Sequence, residues 1–181
     1  DLLKSLSAEA GRDVATPFLT FLDQPGVPLV TASLKCEPGS AARLSLSQRR
    51  FLPEGSTGSA DQSWQIPVSI RYGAGSKVAT TRVLLSKPSM EIALDGLKSC
   101  PEWVVVNDRA VGYYHVKYEG DLRQRLQKRA RTVLSPAERV TLLADVNALV
   151  AGNGMDVGEA LDLVPVFVGD PDRFVVPDLA G

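Results

Sequence analysis

Three stretches of different hydrophobic period divide this chain. Over residues 1–22 apolar positions recur at helical spacing, with Leu2, Leu3 and Leu6 clustered on one side and Gly11 ending that helix. Thr16-Pro17 reads as an N-cap and first-turn pair for a second short helix through Phe18, Phe21 and Leu22. Gln24-Pro25-Gly26 then supplies a stop and a turn.

From residue 28 to 118 the period is two. Val30, Ala32 and Leu34 alternate with Thr31, Ser33 and Lys35, and Leu44 and Leu46 alternate with Arg43, Ser45 and Ser47. The clearest run sets Trp64, Ile66, Val68, Ile70 and Tyr72 against a wet face of Gln65, Pro67, Ser69 and Arg71. Pro67 cannot donate a ladder hydrogen bond, which predicts an edge strand or a bulge there. Gly73-Ala-Gly75-Ser predicts a hairpin connection into Lys77–Leu85, and Met90–Leu94, Glu102–Val106 and Gly112–Tyr118 follow. About seven or eight short strands of this kind predict an antiparallel β-sandwich with immunoglobulin-like character. The polar loop 53–62 is expected to be exposed and mobile.

After Glu119 the helical period returns. Asp121 opens a helix rich in arginine, and Ser135-Pro136-Ala137-Glu138 is a capping box with proline at the first helical position. The helix it launches carries Val140, Leu143, Val146, Leu149 and Val150 on one face and ends at Gly152. Asp156 and Glu159 repeat the capping pattern ahead of Leu161, Leu163 and Val164. These helices read as the first hairpins of a solenoid-like α-helical domain. The expected organisation is a helical tail at 1–23, a β-sandwich domain at 24–119 and the start of a helical domain at 120–181.

At 181 residues with 44% hydrophobic content the chain can bury a sizeable core. Its net charge of −1 argues against a dedicated nucleic-acid module. No apolar run approaches the roughly 20 residues of a spanning helix. The opening Asp1-Leu-Leu-Lys-Ser-Leu reads as mid-helix, so an excised segment or a processed product is expected. Cys36 and Cys100 each end a predicted strand. They are either two unrelated buried thiols or a disulfide closing a loop of about 65 residues. A disulfide would place the parent protein in the periplasm or outside the cell, and free thiols would suit the cytoplasm.

His115 is the single histidine. A zinc site needs three or four protein ligands, and no Gly-x-Ser-x-Gly turn offers a hydrolase nucleophile, so His115 is read as a surface or domain-interface residue. The arginines between Arg123 and Arg131 suit the negative end of a helix more simply than a phosphate site. The pairs Asp170/Asp172 and Asp156/Glu159 are read as helix caps. Trp64 and Trp103 lie in phase with apolar neighbours and are read as core or interface residues.

A series of motifs runs through all three stretches. In order they are Phe21-Leu-Asp-Gln24-Pro-Gly26-Val-Pro28, Leu44-Ser-Leu46-Ser-Gln48-Arg-Arg50-Phe51, Trp64-Gln-Ile66-Pro67-Val68, Trp103-Val-Val-Val-Asn107, Gly112-Tyr-Tyr114-His-Val116-Lys-Tyr118, and Glu138-Arg139-Val-Thr-Leu142-Leu143-Ala-Asp145. Their order and spacing resemble the carboxyl-terminal half of the aminopeptidase N family of zinc metallopeptidases. The His-Glu-x-x-His motif of such enzymes is missing, and one histidine cannot supply it.

The resemblance therefore implies a non-catalytic segment, with no cofactor in this chain and zinc in the parent enzyme. It implies a spacer or hinge that holds a helical domain over the active site, with the parent's catalytic and helical domains as intramolecular partners. Peptide substrate would be met only through the parent. No catalytic, zinc or substrate-anchoring residue of the family maps here, and the resemblance rests on Gln24, Gly26, Gln48, Phe51, Trp64, Pro67, Trp103, Asn107, Gly112, Tyr114, Tyr118, Arg139 and Asp145 as structural positions. The alternative is a stand-alone β-sandwich module that recognises a peptide, a protein or a carbohydrate.

Overall fold

A computed structural model describes residues 2–97 and 99–175. The outermost residues of the expected 1–23 and 120–181 zones lie outside the described residues. Two helices, α1 (Leu2–Ala10) and α2 (Ala15–Leu22), lead into seven strands among the described residues. These are β1 (Pro28–Lys35), β2 (Ala42–Arg50), β3 (Ile66–Ala74), β4 (Lys77–Leu85), β5 (Ser89–Leu94), β6 (Trp103–Val106) and β7 (His115–Tyr118). Helices α3 (Leu122–Val133), α4 (Pro136–Ala151), α5 (Val157–Leu161) and α6 (Val164–Phe167) follow.

The strands form a four-stranded sheet in the order β5-β2-β1-β7 and a three-stranded sheet in the order β4-β3-β6. Alternation along each strand turns one apolar row inward. Val30, Ala32, Leu44 and Leu46 from the first sheet share one core with Ile66, Val68, Ile70, Val104 and Val106 from the second. The architecture is thus mixed, with two facing sheets and flanking helices. One pairing departs from the antiparallel expectation: β7 runs parallel to β1, with Leu29 opposite His115 and Ala32 opposite Tyr118.

Buried Gln48 knits the two sheets together. Its amide nitrogen donates to the carbonyls of Trp64, Leu85 and Lys87 at 2.8–3.1 Å, and its oxygen accepts the Trp64 N–H at 2.8 Å. A buried amide needs such partners to offset its lost hydration. Tyr118 makes a second bridge between sheets. Its hydroxyl accepts the Val106 N–H at 2.9 Å and donates to the Val106 carbonyl at 3.3 Å.

Several local expectations are corrected. β3 is a central strand without a bulge, because its register with β4 runs unbroken from Ile66–Leu85 to Ala74–Lys77. β6 covers only Ile70 to Gly73, so Pro67 lies beyond it and needs no partner on that side. The hairpin turn is Gly75-Ser76, with Gly75 at φ +57°, and Gly73 lies inside the strand. Gly73 is required there for space, since a Cβ would sit 2.5 Å from the Trp103 ring.

β7 starts three residues later than expected. The Asn107 side chain accepts the Gly112 N–H at 2.7 Å and donates to the Gly112 carbonyl at 3.1 Å, which takes Gly112 out of the ladder. Thr16 is inside α2 and does not cap it. The Ser7 hydroxyl accepts the Val14 and Ala15 N–H groups, and Asp13 accepts that of Thr16. The loop after Phe51 is anchored at its start, where the Glu54 N–H donates to the Ala151 carbonyl at 2.8 Å.

Candidate functional site

The candidate site is the seam where the helices meet the sheets. β6 is buried on both faces: Val104 and Val106 join the core between the sheets, while Trp103 and Val105 pack with Leu126, Ala130, Leu142 and Leu143 of α3 and α4. The strand therefore reads Trp-Val-Val-Val rather than alternating, as a doubly covered strand must. Trp103 is accordingly an interface residue, and Trp64 is buried in the core between the two sheets.

Arg71 stands at the centre of this seam. Its Nε donates to Asp108 at 2.5 Å, one terminal nitrogen donates to the Val133 carbonyl at 2.9 Å, and the other donates to both Glu138 oxygens at 2.6 and 2.7 Å. The guanidinium also lies 5.4 Å from the Trp103 ring centroid, within cation–π reach. The wet face expected for β3 is thus covered at Arg71 by residues from α3 and α4.

Glu138 does two jobs. It completes the capping box with Ser135, accepting the Ser135 N–H at 2.8 Å, and it accepts the Arg109 N–H at 2.9 Å. Burial pushes its carboxyl up, but the Ser135 N–H, the Arg71 guanidinium and the Arg109 N–H more than reverse that and hold it below the usual range.

A second contact joins β7 to α4. His115 Nδ1 lies 3.0 Å from Asp145 Oδ1, and the Phe51 ring meets the imidazole edge-on at 4.9 Å. Asp145 is 4% exposed, and burial raises its carboxyl to about 6 against the opposing pull of His115 and the Val116 N–H. In the first turn of α4, Arg139 Nε pairs with Asp170 at 2.9 Å, so Asp170 is an ion-pair partner as well as a turn former. The arginines of α3 are also engaged: Arg123 with Glu159, Arg125 with Asp121, and Arg131 with the Gly169 carbonyl.

Of the positions singled out from the sequence, Phe51, Trp103, Asn107, Tyr118, Arg139 and Asp145 gather along this seam. Tyr114 points into the core, where its hydroxyl has no hydrogen-bond partner, and its ring fills the space a Gly112 Cβ would need. Gln24 donates to the Ser63 carbonyl, Gly26 packs on Arg50, and Pro67 pairs with Leu84 and borders a recess shared with Val14 and Pro17 at the start of α2. Sequence reasoning missed Arg71 and Asp108. The one available signal was Glu138, whose capping role was legible while its reach to β3 was not.

The seam fastens helix to sheet through these contacts. His115 and Asp145 resemble two members of a hydrolytic triad, yet among the described residues no serine, threonine or cysteine hydrogen-bonds His115. Zinc does not fit. Among the described residues no three His, Cys, Asp or Glu side chains converge as ligands, and Cys36 and Cys100 are joined in a disulfide with Cα atoms 5.7 Å apart. No helix among the described residues is long and apolar enough to cross a membrane.

A family described as the ERAP1-like C-terminal domain matches residues 103–178, which takes in β6, β7 and the helices that follow. The chain is 26% identical over 177 residues to a puromycin-sensitive aminopeptidase of Caenorhabditis elegans, covering 97% of this chain and 18% of that protein. It is 34% identical over 154 residues to endoplasmic reticulum aminopeptidase 2 of Bos taurus, covering 80% and 15%. It is 24% identical over 178 residues to aminopeptidase N of Lactococcus lactis, covering 97% and 20%. The chain thus spans about a fifth of the length of the curated relatives it matches. These matches bear out the resemblance read from the motifs: along most of its length the chain is similar to one segment of the aminopeptidase N family.

Proposed function

We propose that this chain is a non-catalytic segment of a zinc aminopeptidase, acting as a spacer or hinge between two larger parts of the enzyme. On this reading residues 1–23 are the tail of the catalytic domain, 24–119 an immunoglobulin-like sandwich and 120–181 the start of a solenoid-like helical domain. The observation that carries the proposal is the Arg71–Asp108–Glu138 cluster over Trp103, which locks the first helices onto the sandwich. A lock of that kind transmits orientation, so the sandwich can set where a helical domain sits relative to an active site.

The parent would remove amino-terminal residues from peptides with a zinc-activated water. Its zinc and its substrate would be held elsewhere, and the catalytic and helical domains would be the segment's intramolecular partners. The disulfide supports a parent exported to the periplasm or beyond the cell.

Exposed apolar side chains favour this reading over a free-standing binding module. Leu2, Leu6, Phe18 and Leu22 on α1 and α2, with Leu84 and Val111 nearby in the sandwich region, are 43–77% exposed. The test is hydrolysis of a panel of aminoacyl-anilides, with zinc added, by this chain and by the full-length parent. Activity confined to the parent is expected, and chelator-sensitive turnover by this chain alone would overturn the reading.

A further inference from the structure

The Cys36–Cys100 disulfide has two chemically unequal ends. Cys36 is exposed and directly follows β1, at an open recess of about 530 Å³ that both cysteines line together with Pro38, Gly39, Ser40 and Leu97. Cys100 is half-buried, and its sulfur lies 3.4 Å from a guanidinium nitrogen of Arg125 on α3. That guanidinium is fixed in place. The same nitrogen donates to the Pro101 carbonyl at 2.9 Å, and Nε donates to Asp121 at 2.7 Å. Cys36 is the more exposed of the two, while Cys100 alone has a positioned cation that favours its thiolate.

We propose that this disulfide is a thiol–disulfide exchange site of fixed polarity, in which a low-molecular-weight thiol attacks Cys36 and Cys100 departs as a thiolate held by Arg125. The external thiolate forms a new S–S bond with Cys36 Sγ, the Cys36–Cys100 bond breaks, and its electron pair leaves on Cys100 Sγ. A second external thiolate then attacks the external sulfur of the mixed disulfide. This releases Cys36 as a thiolate and an oxidised external disulfide, so two electrons pass from two external thiols to the protein.

The exchange has a structural consequence. Intact, the bridge pins the end of β1 in one sheet to the segment entering β6 in the other, and Arg125 adds α3 to the same point. Opening it frees the approach to Trp103, whose ring lies against the Arg71 guanidinium. The site therefore acts on the end of the seam that leads into β6.

The test uses reduced glutathione on the intact chain, with rapid alkylation and peptide mapping by mass spectrometry. Glutathione should be found on Cys36, with Cys100 as the newly alkylated thiol. R125Q should slow the first step about threefold or more, as a poorer leaving thiolate requires, while its thermal unfolding under oxidising conditions confirms an intact fold. Glutathione on Cys100, an even division between the two sulfurs, or an unchanged rate in a folded R125Q would each overturn the proposal.

Discussion

His115 and Asp145 meet at 3.0 Å, one from the last strand of the sheets and the other from the middle of α4. Asp145 is buried at this contact, so the attachment of helix to sheet depends on whether its carboxyl holds a proton. Burial raises Asp145 to about 6, so between the usual aspartate range and pH 6 the folded chain holds a proton that the unfolded chain has released. The stability contributed by that proton is complete below the unfolded pKa and is lost as pH rises through about 6.

D145N removes this titration while keeping the side chain's shape. Urea unfolding across pH 4–6.5 should show a flatter dependence for D145N than for the parent sequence. The difference should approach about 3 kcal/mol at most, as the carboxyl moves from its ordinary range to about 6. Identical slopes would mean that Asp145 is not held in the environment described.

Glu138 has the opposite sign. Its carboxyl is held low, so its contribution is present above the unfolded pKa and is lost as pH falls through the folded one. E138Q keeps the shape of the capping box but leaves Arg71 and the Arg109 N–H with a neutral partner. We expect a loss of about 3 kcal/mol at pH 7, in the range for breaking a buried ion pair. The loss should shrink in acid, where the parent carboxylate is itself protonated.

G73A tests the fit of strand to aromatic ring. The new methyl would meet the Trp103 ring at 2.5 Å and the Lys77 carbonyl at 2.9 Å. A loss of about 1–3 kcal/mol is expected from this overpacking, visible as a lower Tm and a changed near-UV signal from tryptophan. W103A should cost about 3–5 kcal/mol by emptying the space between β6 and α3. Adding W103A to G73A should relieve only part of the G73A defect, because the Lys77 carbonyl cannot move aside as a side chain can.

The disulfide closes across 64 positions, a constraint on the unfolded chain worth about 4 kcal/mol in the chain-entropy model. The double variant C36S/C100S should lose stability on that order in chemical denaturation. A change below about 1 kcal/mol would indicate that the two sulfurs are not bonded in solution.

The strands were largely legible because alternation reports directly which row of side chains is dry. Alternation does not report what later covers the wet row. Arg71 shared its row with Gln65 and Ser69, and only a helix residue 67 positions away converts it from a surface charge into the centre of the seam. The parallel β1–β7 pair was hidden for a related reason, since a four-residue strand shows its period but not its direction. Local chemistry gave the α4 cap correctly. It misassigned the α2 cap, because the Ser7 hydroxyl that serves it comes from the preceding helix. Among the candidate residues, Asp145 and Arg139 were recognised by position, but their partners His115 and Asp170 lie 30 and 31 residues away.

The Tyr118 hydroxyl has an effect beyond joining two sheets. β6 is an outer strand with a run of four apolar residues, the kind of segment that recruits a matching strand from another molecule. At Val106 both outward-facing backbone groups are already taken by one phenol oxygen. An incoming strand would have to displace the Tyr118 hydroxyl to pair at that residue, so the phenol makes strand addition there costlier.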